Sequence, residues 1–305
     1  ERAQHMTVGE FYLALIDEFE RNGKLGNRRA YKGSYNSLNS FTGDNLDICF
    51  EDITQGWLLN YESWLRAKGN KETTISIQFR TLRSVYNKAI KRKCVGKEYY
   101  PFEDFHINKF NVHTDKRAIS KNDVLKIISA DLTGKSEYVK FSRDIFVFSY
   151  LCGGINFCDV ASLTKENILN GRLSYVRQKT GKQINLCLTK NASAIIDKYY
   201  KGGKGFLFPI LDITRHITAT QKENRLHKVL GQVDKSLKII AQIAKVDVNL
   251  TTYVARHSYA TVLKRSGVPT SIICESLGHS SERVTQIYLD SFENEQIDEA
   301  MKNLL

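Results

Sequence analysis

In the stretch GRLSYVRQKTGKQINLCL, residues 171–188, apolar and polar residues alternate on both sides of a Lys-Thr-Gly-Lys turn, the two-residue period of a β-hairpin. It is the one clear β signal in the chain. Elsewhere apolar residues recur at three- and four-residue spacing, which an amphipathic helix satisfies and a strand does not. A 305-residue chain patterned in this way is mainly α with a small hairpin and lacks the strands for a doubly wound sheet. Its length suits two domains.

Four helical runs lead the chain. TVGEFYLALIDEFERNG places Phe11, Leu15 and Phe19 on one face, with Thr7 as N-cap and Gly23 as stop. RRAYKGSYNSLNSF signals a second helix. In ITQGWLLNYESWLRAKG, a third, Trp57, Tyr61, Trp64 and Leu65 share a side before Gly69 ends the run. The fourth spans residues 71–93, its stripe made by Ile75, Phe79, Leu82, Tyr86 and Ile90. Residues 101–118, PFEDFHINKFNVHTDKRA, lose all periodicity, carry Pro101 and read as a connection. The expected division is a helical domain over 1–112, a linker over 113–118 and a second domain over 119–305. That second domain opens with Ser120 as N-cap and Asp123 in the first turn. KFSRDIFVFSYLCGGINFCDVASLTKENI then reads as a buried helix, a break at Gly153-Gly154 and a short helix. After the hairpin the pattern is helical again, through KVLGQVDKSLKIIAQIAKV to the terminal NEQIDEAMKNLL, amphipathic through Ile297, Met301 and Leu304.

A formal net charge of +12 points to a polyanionic partner. An acidic membrane surface is the weaker of two candidates, because no apolar run is long enough to span and no isolated basic amphipathic anchor occurs. Nucleic acid is the stronger. Along the fourth helix Arg80, Arg83, Lys88, Lys91, Arg92 and Lys93 accumulate with Glu98 the only acid between Gln78 and Tyr100, which reads either as a solvated face or, by its missing acids, as a set of phosphate contacts. The chain opens ERAQHMTVGE without an initiating Met, as a piece preceded by a further module would.

Phosphate-loop, dinucleotide, zinc-protease and nucleophile-elbow motifs are all missing from the sequence. The six cysteines form no CxxC pair; the nearest two, Cys152 and Cys158, sit in apolar helical sequence as packing groups. What remains is a polar set in the second domain: Lys179 at the hairpin turn, Arg256 in TTYVARHSYAT, His279 in LGHSS and Tyr288. Each also has a plain structural reading, as a turn lysine, a helix ion-pair partner, a capping histidine and one of 15 tyrosines.

The order of these residues, above all in LTTYVARHSYATVLKRSGVPTSIICESLGHSSERVTQIY, residues 250–288, resembles the tyrosine recombinase (phage integrase) family, most closely the integrases of Bacteroidetes conjugative or mobilisable elements. The resemblance implies an all-α SAM-like core-binding domain and a mainly α catalytic domain with a small β-hairpin or sheet, the DNA breaking-rejoining fold, the two clamping duplex DNA. It implies a site-specific recombinase that cuts and rejoins DNA through a 3′-phosphotyrosine intermediate, for integration, excision or inversion. Tyr288 would be the nucleophile, Arg256 would grip the nonbridging oxygens, His279 would bind the same phosphate or help deprotonate the tyrosine, and Lys179 would protonate the 5′-oxygen. Neither cofactor nor metal is implied. Double-stranded DNA, a tetramer of the chain on synapsed sites that is monomeric when free, and accessory DNA-bending proteins are the expected partners, in a bacterial cytoplasm at the nucleoid. The terminal NEQIDEAMKNLL would pack on a neighbouring copy or on its own domain.

Two positions depart from the family pattern. Tyr253 stands where a His-x-x-Arg box has its histidine, and can donate a hydrogen bond without acting as an imidazole base. Asn156, in Gly154-Ile155-Asn156, stands where the first arginine belongs and brings no charge; Arg143 on the preceding helix is the candidate substitute. These departures leave an alternative: a DNA-binding protein on a recombinase scaffold with impaired or absent catalysis. A helix-turn-helix regulator and a type IB topoisomerase are weaker ones.

Overall fold

A reciprocal pair of hydrogen bonds starts the first helix, α1 (Val8–Arg21): the Thr7 hydroxyl accepts from the Glu10 N–H at 3.3 Å and the Glu10 carboxylate from the Thr7 N–H at 3.0 Å. Left-handed Gly23 (φ +66°) follows its end. The computed structural model describes residues 6–111, 117–286 and 289. The chain divides into two units, Glu1–Thr114 and Asp115–Leu305.

In the first unit α1 is joined by α2 (Leu25–Phe41), α3 (Gln55–Ala67) and α4 (Glu72–Lys91). The predicted apolar stripes face one another: Phe11, Leu15, Tyr61, Leu65, Ile75, Phe79, Leu82 and Tyr86 are buried together. Burying tyrosines strands their hydroxyls unless partners are supplied, and here Tyr12 bonds Ser34 at 2.9 Å, Tyr61 bonds Ser37 at 2.6 Å and Tyr86 donates to the Phe50 carbonyl at 3.0 Å. Residues 101–111, read from sequence as part of a connection, belong to this core. Phe102, Phe105, Ile107 and Phe110 are buried, and the Phe79 ring lies 4.7 Å from Phe105 and 5.4 Å from Phe110, centroid to centroid. Short 3₁₀ turns at Lys97–Tyr99 and Ile107–Lys109 carry the segment; such turns bury irregularly spaced aromatics with neither the helix nor the strand period.

The second unit is built on α6 (Glu137–Leu151), which follows α5 (Lys121–Ser129), capped by Ser120 as predicted. Helix α6 buries Phe141, Ile145, Phe146 and Phe148 and is the central element of the larger core. After the Gly153-Gly154 break comes α7 (Phe157–Ala161), then an antiparallel sheet of β1 (Ile168–Leu169), β2 (Arg172–Val176) and β3 (Gln183–Cys187) in the order β1-β2-β3. The predicted hairpin is β2–β3, with Leu173 opposite Leu186 and Tyr175 opposite Ile184. Strand β1 is too short to show a period. Helices α8 (Lys190–Tyr199), α9 (Ala219–Ile243), α10 (Thr252–Arg265), α11 (Thr270–Ser276) and α12 (Glu282–Gln286) complete the unit, mainly α with one small sheet, as the patterning required. The terminal NEQIDEAMKNLL lies outside the described residues.

Phe79, fully buried at the centre of the first unit's aromatic cluster, tests that core. Truncation by Phe79→Ala is expected to lower unfolding free energy by about 3–5 kcal/mol, read from the urea midpoint; a loss under about 1 kcal/mol would mean that the cluster is not packed as described.

Candidate active site

The hairpin turn and the Leu-Gly-His turn meet in the second unit. At Gly278 (φ +62°) an added Cβ would come within 2.8 Å of Ile184 Cδ1 on β3 and 3.2 Å of Arg177 Cδ at the end of β2. Only glycine allows that approach. The two turns are laced together: Arg177 Nη1 donates to the Gly278 carbonyl at 2.7 Å, the Thr180 hydroxyl to the same oxygen at 3.1 Å, and the Lys182 ammonium to the His279 carbonyl. Asp159, on α7, fastens the base of the turn by accepting the Gln178 N–H at 3.0 Å. Burial raises its carboxyl pKa, and Gln178, Arg177 and Arg256 partly offset that rise.

Arg256 projects from α10 into this junction and is only 2% exposed. Its guanidinium donates from Nη1 to the Gly154 carbonyl at 2.8 Å and from Nη2 to the Leu277 carbonyl at 2.5 Å and to His279 Nε2 at 3.0 Å. The break after α6 serves this grip. Left-handed Gly154 (φ +64°) packs directly on the arginine, where a Cβ would lie 2.8 Å from Arg256 Cα.

Guanidinium nitrogens are donors only, so His279 Nε2 accepts from Arg256 and the ring proton sits on Nδ1, donated to the Thr285 hydroxyl at 2.9 Å. The imidazole is therefore neutral. Burial pushes its pKa from 6.5 down to about 3, helped by the positive charges of Arg256, Arg177, Lys179 and Lys182. Four cations acting on one buried ring, with Asp159 the buried carboxylate beside them among the described residues, make a site suited to an anion, because a like-charged cluster out of water needs a counter-charge.

The other residues singled out from sequence are placed as follows. Lys179 is exposed in the turn after β2, and its charge reaches His279. Tyr253 lies one turn before Arg256 on α10, 39% exposed, its ring edge-on to His257 at 4.8 Å. Asn156 is the N-cap position of α7, two residues from the Gly154 carbonyl that binds Arg256, and its side chain makes no hydrogen bond among the described residues. Arg143 is engaged at the end of α5, donating to the Ala130 carbonyl at 3.2 Å and pairing with Asp144 at 3.3 Å; among the described residues it contacts none of Arg256, His279 or Lys179. Tyr288 lies outside the described residues, two positions past the end of α12. The six basic residues at α4 separate. Arg80, Arg83 and Lys91 are exposed on one side at helical spacing, Arg80 and Arg83 lining a shallow cavity of about 330 Å³ with His106 and Asn108. Lys88 is half-buried, Arg92 pairs with Glu18 at 2.6 Å, and Lys93 follows the helix in a left-handed conformation (φ +60°). The Cys152 and Cys158 thiols are pushed up to about 12 and about 11 by burial, as expected of packing groups. Among the described residues no helix is long and apolar enough to cross a membrane, and no cluster of metal-ligating side chains occurs.

Sequence reading passed over Arg177, Lys182, Asp159 and Thr285. Arg177 alone had a visible signal: it follows Leu173 and Tyr175 at two-residue spacing, on the inward phase of the strand.

A fold of this kind, in which an arginine from α10 meets a neutral histidine at a glycine turn beside a lysine-bearing hairpin, defines a class. Residues 117–295 match the phage integrase family and residues 7–111 the phage integrase SAM-like domain, and the chain belongs to the phage integrase family. It is 24% identical over 248 residues to the tyrosine recombinase XerD of Halalkalibacterium halodurans, covering 78% of this chain and 77% of that one. With the integrase of Escherichia phage P2 it shares 21% over 257 residues, covering 84% and 67%. Among solved structures, the Tn1549 transposon integrase in complex with transposon right end DNA superposes with a TM-score of 0.66 at 17% identity, over 98% of this chain and 99% of that one. A lambda integrase dimer bound to a COC′ core site also gives 0.66, at 16% identity over 95% and 79%.

Because its folded pKa lies below the ordinary value, the neutral His279 contributes stability above pH 6.5 that is lost as pH falls toward 3. In the DNA-free protein its ring resonances, assigned with a His279→Gln control, are expected to stay those of a neutral Nδ1–H imidazole from pH 8 to about 5. A midpoint near 6.5 would show that the cations do not act on the ring as described.

Proposed function

We propose that the chain is a site-specific tyrosine recombinase that breaks and rejoins duplex DNA for a mobile element, with Tyr288, Arg256, His279 and Lys179 performing the chemistry. The single observation that carries the reading is the convergence of Arg256, His279 and the Lys179 turn on the Leu-Gly-His segment, nine residues ahead of Tyr288. The Tyr288 phenol oxygen attacks the scissile phosphorus while its proton passes to solvent water, since the one lone pair of neutral His279 already accepts from Arg256, and His279 serves by holding that guanidinium at the phosphate. A bond forms between phosphorus and the tyrosine oxygen as the bond to O5′ breaks. Negative charge growing on the nonbridging oxygens meets the Arg256 guanidinium, already aimed by three protein acceptors and so needing little reorganisation. The Lys179 ammonium, exposed in its turn, protonates the leaving O5′. The ester that remains is a 3′-phosphotyrosine opposite a free 5′-hydroxyl, and attack by a 5′-hydroxyl reverses each step without an external energy source. Tyr253 supports the phosphate as a hydrogen-bond donor, and Asn156 is a neutral neighbour of it.

Residues up to 112 form the core-binding domain and those from 119 the catalytic domain, joined through 113–118. Phosphate contacts on the first come from the exposed side of α4, with Arg80, Arg83 and Lys91 leading and Lys88, Arg92 and Lys93 at its end. Four copies synapse two sites, with accessory DNA-bending proteins assisting, in a bacterial cytoplasm at the nucleoid. The host element is of the Bacteroidetes conjugative or mobilisable kind, supported by the style of RHSYAT and SYLCGGINFCDVASL.

The test is covalent capture. Incubation with a pool of nicked duplexes of randomised sequence, which trap the intermediate by losing the 5′ fragment, is expected to yield a denaturant-resistant protein–DNA adduct with the DNA on Tyr288 by peptide mass. Tyr288→Phe should bind the selected DNA with unchanged affinity and form no adduct. Tight binding without any adduct in the unsubstituted protein would contradict the recombinase reading.

A further inference from the structure

Arg177 has a placement that the folding of a hairpin does not require. Strand β2 turns Leu173 and Tyr175 inward and leaves Val176 57% exposed, and the next inward position belongs to Arg177, 3% exposed. A valine outside and a guanidinium inside invert the ordinary patterning of a strand, at a cost in desolvation that packing alone does not return. Among the described residues Arg177 forms no ion pair, its Nη1 donates to the Gly278 carbonyl at 2.7 Å, and its buried Nε finds no acceptor. The buried charge is thus hydrogen-bonded to one carbonyl, with the Asp159 carboxylate near enough to feel it, and its Nε is left without an acceptor.

Arg256 Nη2 donates to the carbonyl of Leu277 and Arg177 Nη1 to that of Gly278, so two buried guanidiniums hang on consecutive carbonyls of one turn. His279, the next residue, feels both charges. Two like charges brought together out of water repel, and the arrangement becomes favourable when an anion with several acceptor oxygens lies between them. A phosphate undergoing in-line attack is such an anion, carrying more charge on its nonbridging oxygens in the transition state than before it.

We propose that Arg177 is a catalytic residue, the second guanidinium that binds a nonbridging oxygen of the scissile phosphate beside Arg256. The proposal rests on the recombinase reading. It supplies the charge that Asn156 does not, from the hairpin instead of from the α6–α7 segment, and without calling on Arg143, whose guanidinium is engaged by the Ala130 carbonyl and Asp144. Lys179 and Arg177 then act as a unit carried by one turn: the lysine serves the leaving oxygen and the arginine the nonbridging oxygen.

The experiment compares two linkages in the captured duplex, the natural phosphodiester and a methylphosphonate at the scissile position, in which a methyl group replaces one nonbridging oxygen and removes its charge. Single-turnover cleavage is measured for the unsubstituted protein, for Arg177→Ala, and for Arg177→Gln, which keeps a donor for the Gly278 carbonyl while losing the charge. On the phosphodiester both variants are expected to be slower by about 10²–10³-fold. On the methylphosphonate the loss should shrink to less than about tenfold, since the oxygen that Arg177 neutralises is gone. Equal losses on the two linkages, no loss on either, or a pair of variants that both melt below the assay temperature would each assign Arg177 to the fold and overturn the proposal. If the unsubstituted protein forms no Tyr288 adduct, the recombinase reading falls and this inference with it; an intact adduct with equal losses sinks the inference alone.

Discussion

The grip of the Arg256 guanidinium on the carbonyls of Gly154 and Leu277 is the interaction on which the rest of the second unit's site depends. A charge buried to 2% exposure is tolerable only when its donors are met, and the partners come from three separate places: the break after α6, the end of α11, and the histidine that follows. Each place is shaped to comply. Gly154 takes a left-handed conformation and offers its Cα face to the arginine, and Gly278 takes another so that the turn can close on the hairpin. The arginine therefore acts as a structural bolt before it acts on any ligand, and its fork is aimed in advance of the charge it is built to meet.

From that bolt the electrostatics follow. Because Arg256 donates to His279 Nε2, and because the charges of Arg177, Lys179 and Lys182 act on the same ring, the imidazole is held neutral, far from its ordinary titration range. Among the described residues Asp159 is the buried carboxylate set against this charge, and it is occupied with the Gln178 N–H that steadies the lysine-bearing turn. Among the described residues the local charge is thus left largely uncompensated, nine positions ahead of Tyr288 in sequence. On the proposed function, this preorganised positive field is what lowers the phosphoryl-transfer barrier.

Most of the architecture was legible because it rests on periodicity: the stripes of α1, α3 and α4, the Ser120 cap of α5, the glycine break and the β2–β3 hairpin all carry a local signal. Periodicity also explains what was misread. Residues 101–111 pack through Phe102, Phe105, Ile107 and Phe110 along an irregular path broken by one 3₁₀ turn, Ile107–Lys109, so their burial had no period to announce it. On α4 a run of basic letters did not reveal that Arg92 pairs with Glu18, a partner 74 residues away in sequence. In the site, Arg256, His279 and Lys179 could be found by motif order, whereas Asp159 and Lys182 depend on the meeting of distant turns. Arg177 stood between these cases: its inward phase was written in the strand, although no motif marked it.

The central claim is that the cluster around the Leu-Gly-His turn is a pocket for the scissile phosphate. A crystal structure of the Tyr288→Phe protein bound to its captured duplex tests it most directly. The account predicts a backbone phosphate with nonbridging oxygens at about 3 Å from the Arg256 guanidinium, beside His279 and beneath the Lys179 turn. A duplex bound elsewhere, with Arg256 bonded to Gly154, Leu277 and His279 and to no DNA oxygen, would contradict it.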